Sequence, residues 1–222
     1  MIAPARRRWL VHCSASLLAG CWLCGLPSVG AAAVGQRARH VLVVGDSLSA
    51  EYGLQRGEGW VALLAARLTR EHPDAVVVNA SISGDTTAGG LTRLPALLRQ
   101  HQPGLVILEL GANDALRGLS LETARANLLQ MTRLCTTAGA RVVIIGMRLP
   151  PNYGRSYGER FASLFADVAR SEQASLVPFM LKGVADGPQA DTMFQADRIH
   201  PLAKAHPIIL GNILPVLDPL LK

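Results

Sequence analysis

Ser47 stands in Gly45-Asp46-Ser47-Leu48-Ser49, directly after four consecutive apolar residues that favour β-structure. A short apolar run that stops at a glycine is typical of a buried strand in a parallel sheet. Ligands of open α/β sheets bind beyond the carboxyl ends of the strands, so a hydroxyl group here could act as a nucleophile. Asp46 or Ser47 could more simply cap a following helix. The catalytic interpretation therefore needs further residues.

His200 is the best candidate for a base that activates this serine. It follows Asp197 by three residues, which lets the carboxylate hold the imidazole across one turn. Taken alone, such a pair is weak, because exposed Asp–His pairs are common. The remaining histidines are expected at the ends of strands or helices, in the N-terminal segment, or on the surface of the last helix: His40, His72, His101, His12 and His206.

Gly84 and Asn113 could supply the hydrogen-bond donors that an oxyanion needs. Gly84 follows the second apolar run and has no Cβ to keep a substrate from its N–H group. Asn113 follows the third apolar run and offers a side-chain amide. Either residue alone would suit an ordinary turn. Their joint positions after successive strands favour an active site.

The elements that must position these residues alternate along the chain. Strands are predicted at 41–45, 75–79, 104–110, 141–147 and 175–179, and helices at 59–71, 88–100, 120–138, 157–172 and about 201–221, the last interrupted or kinked by Pro207 and Pro215. Five buried strands separated by helices predict a three-layer α/β/α sandwich with a parallel, flavodoxin-like sheet of order 2-1-3-4-5. This order brings the loops after strands 1, 2 and 3 to one edge.

The combined motifs resemble the SGNH, or GDSL, hydrolase family. The resemblance covers roughly residues 40–215 and extends to Asn79–Leu91, Glu109–Gly118 and Pro150–Gly154. It is closest to a bacterial periplasmic branch of thioesterases, lysophospholipases and arylesterases. It implies a Ser47-Asp197-His200 triad, and an oxyanion hole formed by the N–H groups of Ser47 and Gly84 and the Asn113 side chain. The implied reaction is hydrolysis of acyl esters and thioesters through an acyl-enzyme, without a metal or an organic cofactor.

A substrate groove is predicted between two loops of this edge. Its apolar residues are Ala115, Leu116 and Leu119 on one side and Leu149, Pro150, Pro151 and Tyr153 on the other. Alternatively, the prolines only stiffen a long connection and Tyr153 packs beneath it. An acyl chain of several carbons would use the groove. Without a groove, a short-chain or carbohydrate O-acetyl esterase is the alternative.

Other classes of function are less well supported. A nucleotide- or flavin-binding module, or a non-catalytic acyl-binding protein, could share the fold. However, Asp46, Asp85 and Asp114 are expected to line the same edge and repel a phosphate. The chain carries a formal net charge of +6 without a basic cluster beyond Arg6–Arg8, which does not favour a nucleic-acid partner. Neither a dinucleotide motif, a phosphate-binding loop motif nor zinc-ligand spacing is present.

Residues 1–33 resemble an export signal, leaving a mature catalytic domain at 34–222 in the periplasm or outside the cell. Arg6–Arg8 precede an apolar stretch that ends at a small-residue cleavage site, Ala31–Ala33. Lipidation of Cys21, which would tie the protein to a membrane, an uncleaved membrane anchor and twin-arginine export remain open alternatives. Removal of the segment would leave Cys135 as a single cysteine, which is expected to be buried and structural.

Overall fold

The computed structural model describes residues 39–221. The strands are β1 (His40–Gly45), β2 (Val76–Asn79), β3 (Leu105–Glu109), β4 (Arg141–Ile145) and β5 (Ser175–Val177). The α-helices are α1 (Trp60–Glu71), α2 (Thr87–His101), α3 (Ala112–Leu116), α4 (Leu121–Thr137), α5 (Arg155–Ser171) and α6 (His206–Leu217). Short 3-10 helices span Pro151–Tyr153, Ala190–Thr192, Ala203–Ala205 and Asp218–Leu220.

The strands form one parallel sheet in the order β2-β1-β3-β4-β5, as the sequence predicts. β1 lies between β2 and β3, and its last residue, Gly45, pairs with Glu109 at the end of β3. The expectation that all five strands are buried is wrong for β2. Its Val76 is 45% exposed, because an edge strand has a neighbour on one side only.

Helices cover both faces of the sheet. α1 packs against α6, while α2, α4 and α5 lie side by side. The largest buried side chains come from these helices as well as from the strands. Trp60, the first residue of α1, is fully buried in the core. Phe161 and Phe165 of α5 pack edge to face with ring centroids 5.1 Å apart. Each such side chain contributes about 1.5–3 kcal/mol through the apolar surface it buries.

The last helix begins later than the sequence suggests. Pro207 stands in the first turn of α6, where its missing N–H group costs no hydrogen bond, so it starts the helix rather than interrupting it. Pro215 lies inside the same helix, and the chain continues as a 3-10 turn over Asp218–Leu220.

The prediction that His206 lies on the surface is wrong. The residue is 2% exposed, and its Nδ1 accepts the N–H group of Trp60 at 3.0 Å. That group belongs to the first turn of α1, whose N-cap, Gly59, has no side chain to accept it. The imidazole also donates to the carbonyl of Pro201. His206 therefore joins the start of α1 to the segment that follows His200.

Cys135 is buried in α4, as predicted, and burial raises the pKa of its thiol to about 12. Within residues 39–221, no helix is long and apolar enough to cross a membrane. The N-terminal features at 1–33, including Cys21 and the cleavage site, lie outside the described residues.

His206→Ala should lower the free energy of unfolding at pH 8 by about 1–3 kcal/mol, because the buried N–H group of Trp60 loses its acceptor. Burial lowers the pKa of His206 below the 6.5 of an ordinary histidine. Its stabilising effect is thus complete above pH 6.5 and declines as the pH falls through the lowered pKa. Urea unfolding should show a smaller difference between wild type and variant at pH 4.5 than at pH 8.

The control is His101→Ala, since the His101 ring makes no side-chain hydrogen bond within the described part of the chain. Its effect should be smaller at pH 8. Equal losses in the two variants, or a difference that grows toward acid, would contradict the role of His206.

Candidate active site

Ser47 occupies a sharp turn at the end of β1. The carboxylate of Asp46 stabilises the turn, because its Oδ1 accepts the N–H group of Leu48 at 3.0 Å. Turns, not a helix, continue from here until Trp60. The simple interpretation that Asp46 or Ser47 caps a following helix is therefore wrong, and the Ser47 hydroxyl is left half-buried at the sheet edge.

The structure brings Ser47, His200 and Asp197 together. Nε2 of His200 lies 2.9 Å from Oγ of Ser47, and Nδ1 lies 2.6 Å from Oδ2 of Asp197. The other carboxylate oxygen of Asp197 accepts the N–H groups of Ile199 and His200 at 2.9 and 3.0 Å. Although desolvation opposes ionisation, these hydrogen bonds lower the pKa of Asp197 to about 2. Asp197 is thus ionised at neutral pH and fixes the imidazole from one side.

Gln195 and Tyr52 support the His200 loop, and sequence reasoning found neither. The N–H group of Gln195 donates to the carbonyl of His200 at 2.8 Å, and its side-chain amide donates to the carbonyls of Tyr52 and Pro201. The Tyr52 ring lies over the imidazole with the ring centroids 4.3 Å apart. The contacts of Tyr52 could not be recognised from a sequence pattern, because Tyr52 and Gln195 lie 143 residues apart.

Ser47 and Gly84 each have a backbone N–H group in a loop at the sheet edge that carries the Ser47 hydroxyl. Within residues 39–221, neither group donates to a protein acceptor. Gly84 has a φ of +78°, a conformation that favours glycine, and its carbonyl accepts a hydrogen bond from Arg117 at 2.8 Å. Unpaired backbone N–H groups suit a developing negative charge, so both groups are candidate donors for an oxyanion.

Asn113 lies in the first turn of α3, and its side chain points toward Asp46 and Asp85. Its Nδ2 donates to Oδ2 of Asp46 and to the carbonyl of Asp85, each at 3.0 Å. Both N–H bonds of the amide are therefore occupied in this structure, and one of the two acceptors belongs to the loop that carries Gly84.

The predicted negatively charged edge is wrong, because the three aspartates have partners inside the protein. Asp114 is buried and accepts both the N–H group and the hydroxyl of Thr87 at the start of α2. Asp85 pairs with Arg93 at 2.8 Å, and Asp46 is 1% exposed. Their carboxylates thus hold loops together and do not form an exposed anionic rim.

A cleft of about 450 Å³ opens beside Ser47. It is bordered by Leu48, Ala112 and Ile199, each next in sequence to a site residue. Leu116, Leu149, Pro150 and Pro151 of the predicted groove line it, together with apolar residues that sequence reasoning missed: Met147, Phe179, Leu181, Ala185, Ala190 and Phe194. Four charged residues, Arg148, Asp186, Asp191 and Arg198, also lie along it.

Three residues of the predicted groove are not placed in this cleft. Ala115 is 1% exposed in the core, because α3 turns its side chain inward. Tyr153 is 37% exposed on the 3-10 turn outside the cleft. Leu119 borders a separate cavity of about 540 Å³ between α4 and α5, which contains no residue of the Ser47 site.

Comparison with known proteins identifies the family. Residues 43–208 match the model of the GDSL-like Lipase/Acylhydrolase family. The chain belongs to this family. Esterase TesA of Pseudomonas aeruginosa is 50% identical over 207 residues, covering 93% of this chain and 99% of the relative. Thioesterase 1/protease 1/lysophospholipase L1 of Escherichia coli K12 is 41% identical over 182 residues, covering 82% and 85% of the two chains.

Solved structures of GDSL hydrolases share the fold. A crystal structure of TesA superimposes with a TM-score of 0.77 at 51% identity, covering 81% of this chain and 98% of that one. A structure of the esterase EstA from Pseudoalteromonas sp., inhibited by monoethylphosphonate, gives a TM-score of 0.75 at 39% identity, covering 81% and 96%. The predicted family, fold and class of enzyme are confirmed: the protein is a hydrolase of ester bonds.

Tyr52→Ala should lower kcat/KM for a p-nitrophenyl ester by about 2- to 12-fold, which corresponds to the 0.5–1.5 kcal/mol typical of an aromatic pair. The loss is expected because the Tyr52 ring restricts the imidazole of His200. Tyr52→Phe keeps the ring and should retain activity. Tyr153→Ala removes an exposed tyrosine outside the cleft and serves as the matched control. Wild-type kinetics for Tyr52→Ala would show that the ring contact is incidental.

Proposed function

We propose that the protein hydrolyses acyl esters and thioesters through an acyl-enzyme formed on Ser47. The observation that carries this proposal is the continuous contact from Asp197 through His200 to the Ser47 hydroxyl, at 2.6 and 2.9 Å. The relatives support the range of substrates, because their names include esterase, arylesterase and thioesterase/lysophospholipase.

Acylation begins when neutral His200 accepts the Ser47 proton. Ionised Asp197 keeps the second imidazole proton on Nδ1, so that Nε2 carries the lone pair facing Ser47 Oγ. As the serine oxygen attacks the carbonyl carbon, the proton moves to Nε2 and the imidazolium gains stabilisation from the carboxylate. The protonated His200 then passes this proton to the departing alcohol or thiol.

The tetrahedral oxyanion would be held by three donors: the N–H groups of Ser47 and Gly84 and the amide of Asn113. The first two have no competing acceptor within the described residues. The Asn113 amide already donates to the Asp85 carbonyl and to Asp46. The oxyanion would replace the neutral carbonyl as acceptor, because a negative oxygen is the stronger partner. The bond to Asp46 would then remain and hold the amide in place.

Deacylation repeats the sequence with water as the nucleophile. His200 takes a proton from the water, the ester carbonyl is attacked again, and the Ser47 oxygen leaves with a proton from the imidazolium. This chemistry needs neither a metal nor an organic cofactor.

The acyl chain would lie in the cleft beside Ser47. Leu116 and Leu149 face it from the two predicted loops, and Phe179 and Phe194 add apolar surface. A volume of about 450 Å³ accommodates a chain of several carbons rather than an acetyl group alone. This observation favours medium-chain acyl substrates over a short-chain or carbohydrate O-acetyl esterase.

Ser47→Ala should lower the turnover of p-nitrophenyl esters by about 10⁴-fold or more, the effect expected when a triad nucleophile is removed. A fluorophosphonate probe should modify wild-type protein, and peptide mapping should place the adduct on Ser47. Ser163→Ala, a change on the exposed face of α5, is the control. Retained turnover in Ser47→Ala, or an adduct elsewhere, would exclude the proposed mechanism and favour a binding module.

The size of the cleft leads to a separate prediction about the length of the acyl chain. For p-nitrophenyl esters from acetate upward, kcat/KM should rise for several carbons, because each buried CH₂ contributes about 0.8 kcal/mol, roughly fourfold. Leu116→Asn and Leu149→Asn should flatten this rise and spare the acetate ester. Leu119→Asn replaces the same residue type outside the cleft and should leave the series unchanged. If acetate is already the best substrate and none of the variants matters, the enzyme is a short-chain esterase.

Residues 1–33 are proposed to direct export and to be removed, leaving the catalytic domain at 34–222 in the periplasm or outside the cell. The order of charged, apolar and small residues supports this assignment. The mature protein should begin near Val34, which N-terminal sequencing of material from the native envelope can test. An N-terminal diacylglyceryl-cysteine at Cys21 would instead indicate a membrane-anchored lipoprotein.

A further inference from the structure

Glu109 is a fully buried carboxyl group that the proposed reaction does not use. It ends β3 and is 2% exposed, beneath the turn that carries Ser47. Its Oε2 accepts the N–H group of Asp46 at 3.2 Å and the hydroxyl of Ser49 at 2.7 Å. Burying an ionisable group is costly unless it is neutral or well bonded, so a glutamate here requires an explanation.

Glu109 and Asp46 are neighbouring buried residues, joined where Oε2 of Glu109 accepts the N–H group of Asp46. Burial raises the pKa of both groups, that of Asp46 to about 6 and that of Glu109 well above its usual value, to which the nearby Asp46 charge adds. A hydrogen bond between the two side chains favours the charged form of Asp46 and the neutral form of Glu109.

Gly45 has no side chain and so leaves space for this contact. A Cβ at position 45 would lie 2.7 Å from Oε2 of Glu109 and 2.8 Å from Oγ of Ser49. Any residue other than glycine would push the Glu109 carboxyl away from the turn. The glycine that precedes Asp46 and Ser47 thus permits the approach of Glu109 as well as the bend after β1.

The hydrogen bonds continue from Glu109 to the oxyanion donor. Oε2 of Glu109 accepts the N–H group of Asp46, whose Oδ2 accepts the Asn113 amide and whose Oδ1 accepts the N–H group of Leu48. We propose that Glu109 is a positioning residue: by holding Asp46 from below through its N–H group, it fixes the Asn113 amide that stabilises the oxyanion. This inference rests on the proposed role of Asn113.

Asp46 holds the Asn113 amide in place during the reaction. Once the oxyanion replaces the Asp85 carbonyl, Asp46 is the remaining acceptor that holds the Asn113 amide. Asp46 itself follows the last residue of β1, next in sequence to Ser47, and the charge of His200 acts to lower its pKa. Burial and the nearby Asp46 charge favour the neutral form of Glu109, which adds no second negative charge that would repel Asp46 and oppose the developing oxyanion.

Glu109→Gln and Glu109→Met separate positioning from packing. Glutamine keeps an acceptor for the Asp46 N–H group and the Ser49 hydroxyl and carries no charge. It should retain kcat within about threefold. Methionine has a similar length but no polar groups, and it should lower kcat by about 10-fold while KM changes less than twofold, because the oxyanion contact strengthens only in the transition state. Active-site titration with fluorophosphonate normalises kcat to folded protein.

Thr132→Val is the matched control, because Thr132 is a buried polar residue in α4 whose hydroxyl bonds only within its helix. It should change the melting temperature without changing kcat. A kcat loss in Thr132→Val as large as that in Glu109→Met would assign the effect to general destabilisation.

A double-mutant cycle decides whether Glu109 acts through Asn113. Asn113→Ala should lower kcat by about 10²–10³-fold, the usual effect of losing one oxyanion donor. Adding Glu109→Met to Asn113→Ala should then cost less than about twofold, since the group that Glu109 positions is already absent. Full additivity of the two losses would overturn the proposal, as would wild-type kcat in Glu109→Met.

The glutamine variant keeps the proposal falsifiable if Glu109→Met does not fold. A 10-fold loss of kcat in Glu109→Gln at wild-type melting temperature would show that the group is required as an acid and not as a positioning acceptor, and would overturn the proposal. Failure of the proposed function is distinguished by Ser47→Ala, whose retained activity would end the triad assignment whatever the Glu109 variants do.

Discussion

The parallel pairing of β1 with both β2 and β3 is the constraint on which the site depends. β1 is apolar and almost fully buried, so it is stable only at the centre of the sheet. Its register places Val43 beside Asn79 and Gly45 beside Glu109. The loops that carry Ser47, Gly84 and Asn113 therefore leave the sheet at one edge, although the sequence separates them widely. Burial of one strand thus assembles half of the active site.

Partly buried polar contacts also stabilise the loops at this edge. Asn79, at the end of β2, donates to the carbonyl of Ser49 after β1, and Arg93 binds Asp85 and the carbonyl of Ala80 in the loop after β2. Such groups are expensive to bury, and an apolar edge of the same shape could be more stable. A cluster of aspartate, glutamate, arginine and asparagine at this edge is therefore better explained by the geometry it imposes than by the stability it adds.

The fold could be predicted, and Ser47, Asp197 and His200 could be proposed as a site, because their signals are local. Apolar runs and glycines mark the ends of strands, and Asp197 and His200 are close in sequence. Contacts between distant segments could not be predicted in this way: His206 is buried because it accepts the N–H group of Trp60, and Tyr52 reaches His200. Glu109 was visible only as the end of an apolar strand. Its carboxyl becomes informative once the register sets it beneath Asp46.

The two halves of the site differ in how they are supported. Ser47, Gly84 and Asn113 stand on the edge of the sheet, whereas Asp197 and His200 lie on an irregular loop closed by the bridge between Phe194 and Pro201. The Asp197 side chain is 37% exposed, so hydrogen bonds rather than packing keep it in place. Few buried contacts imply a low local unfolding free energy for such a segment. In the proposed mechanism His200 moves a proton to and from Ser47, so the alignment of this loop with the rigid edge is where small structural changes should affect turnover most.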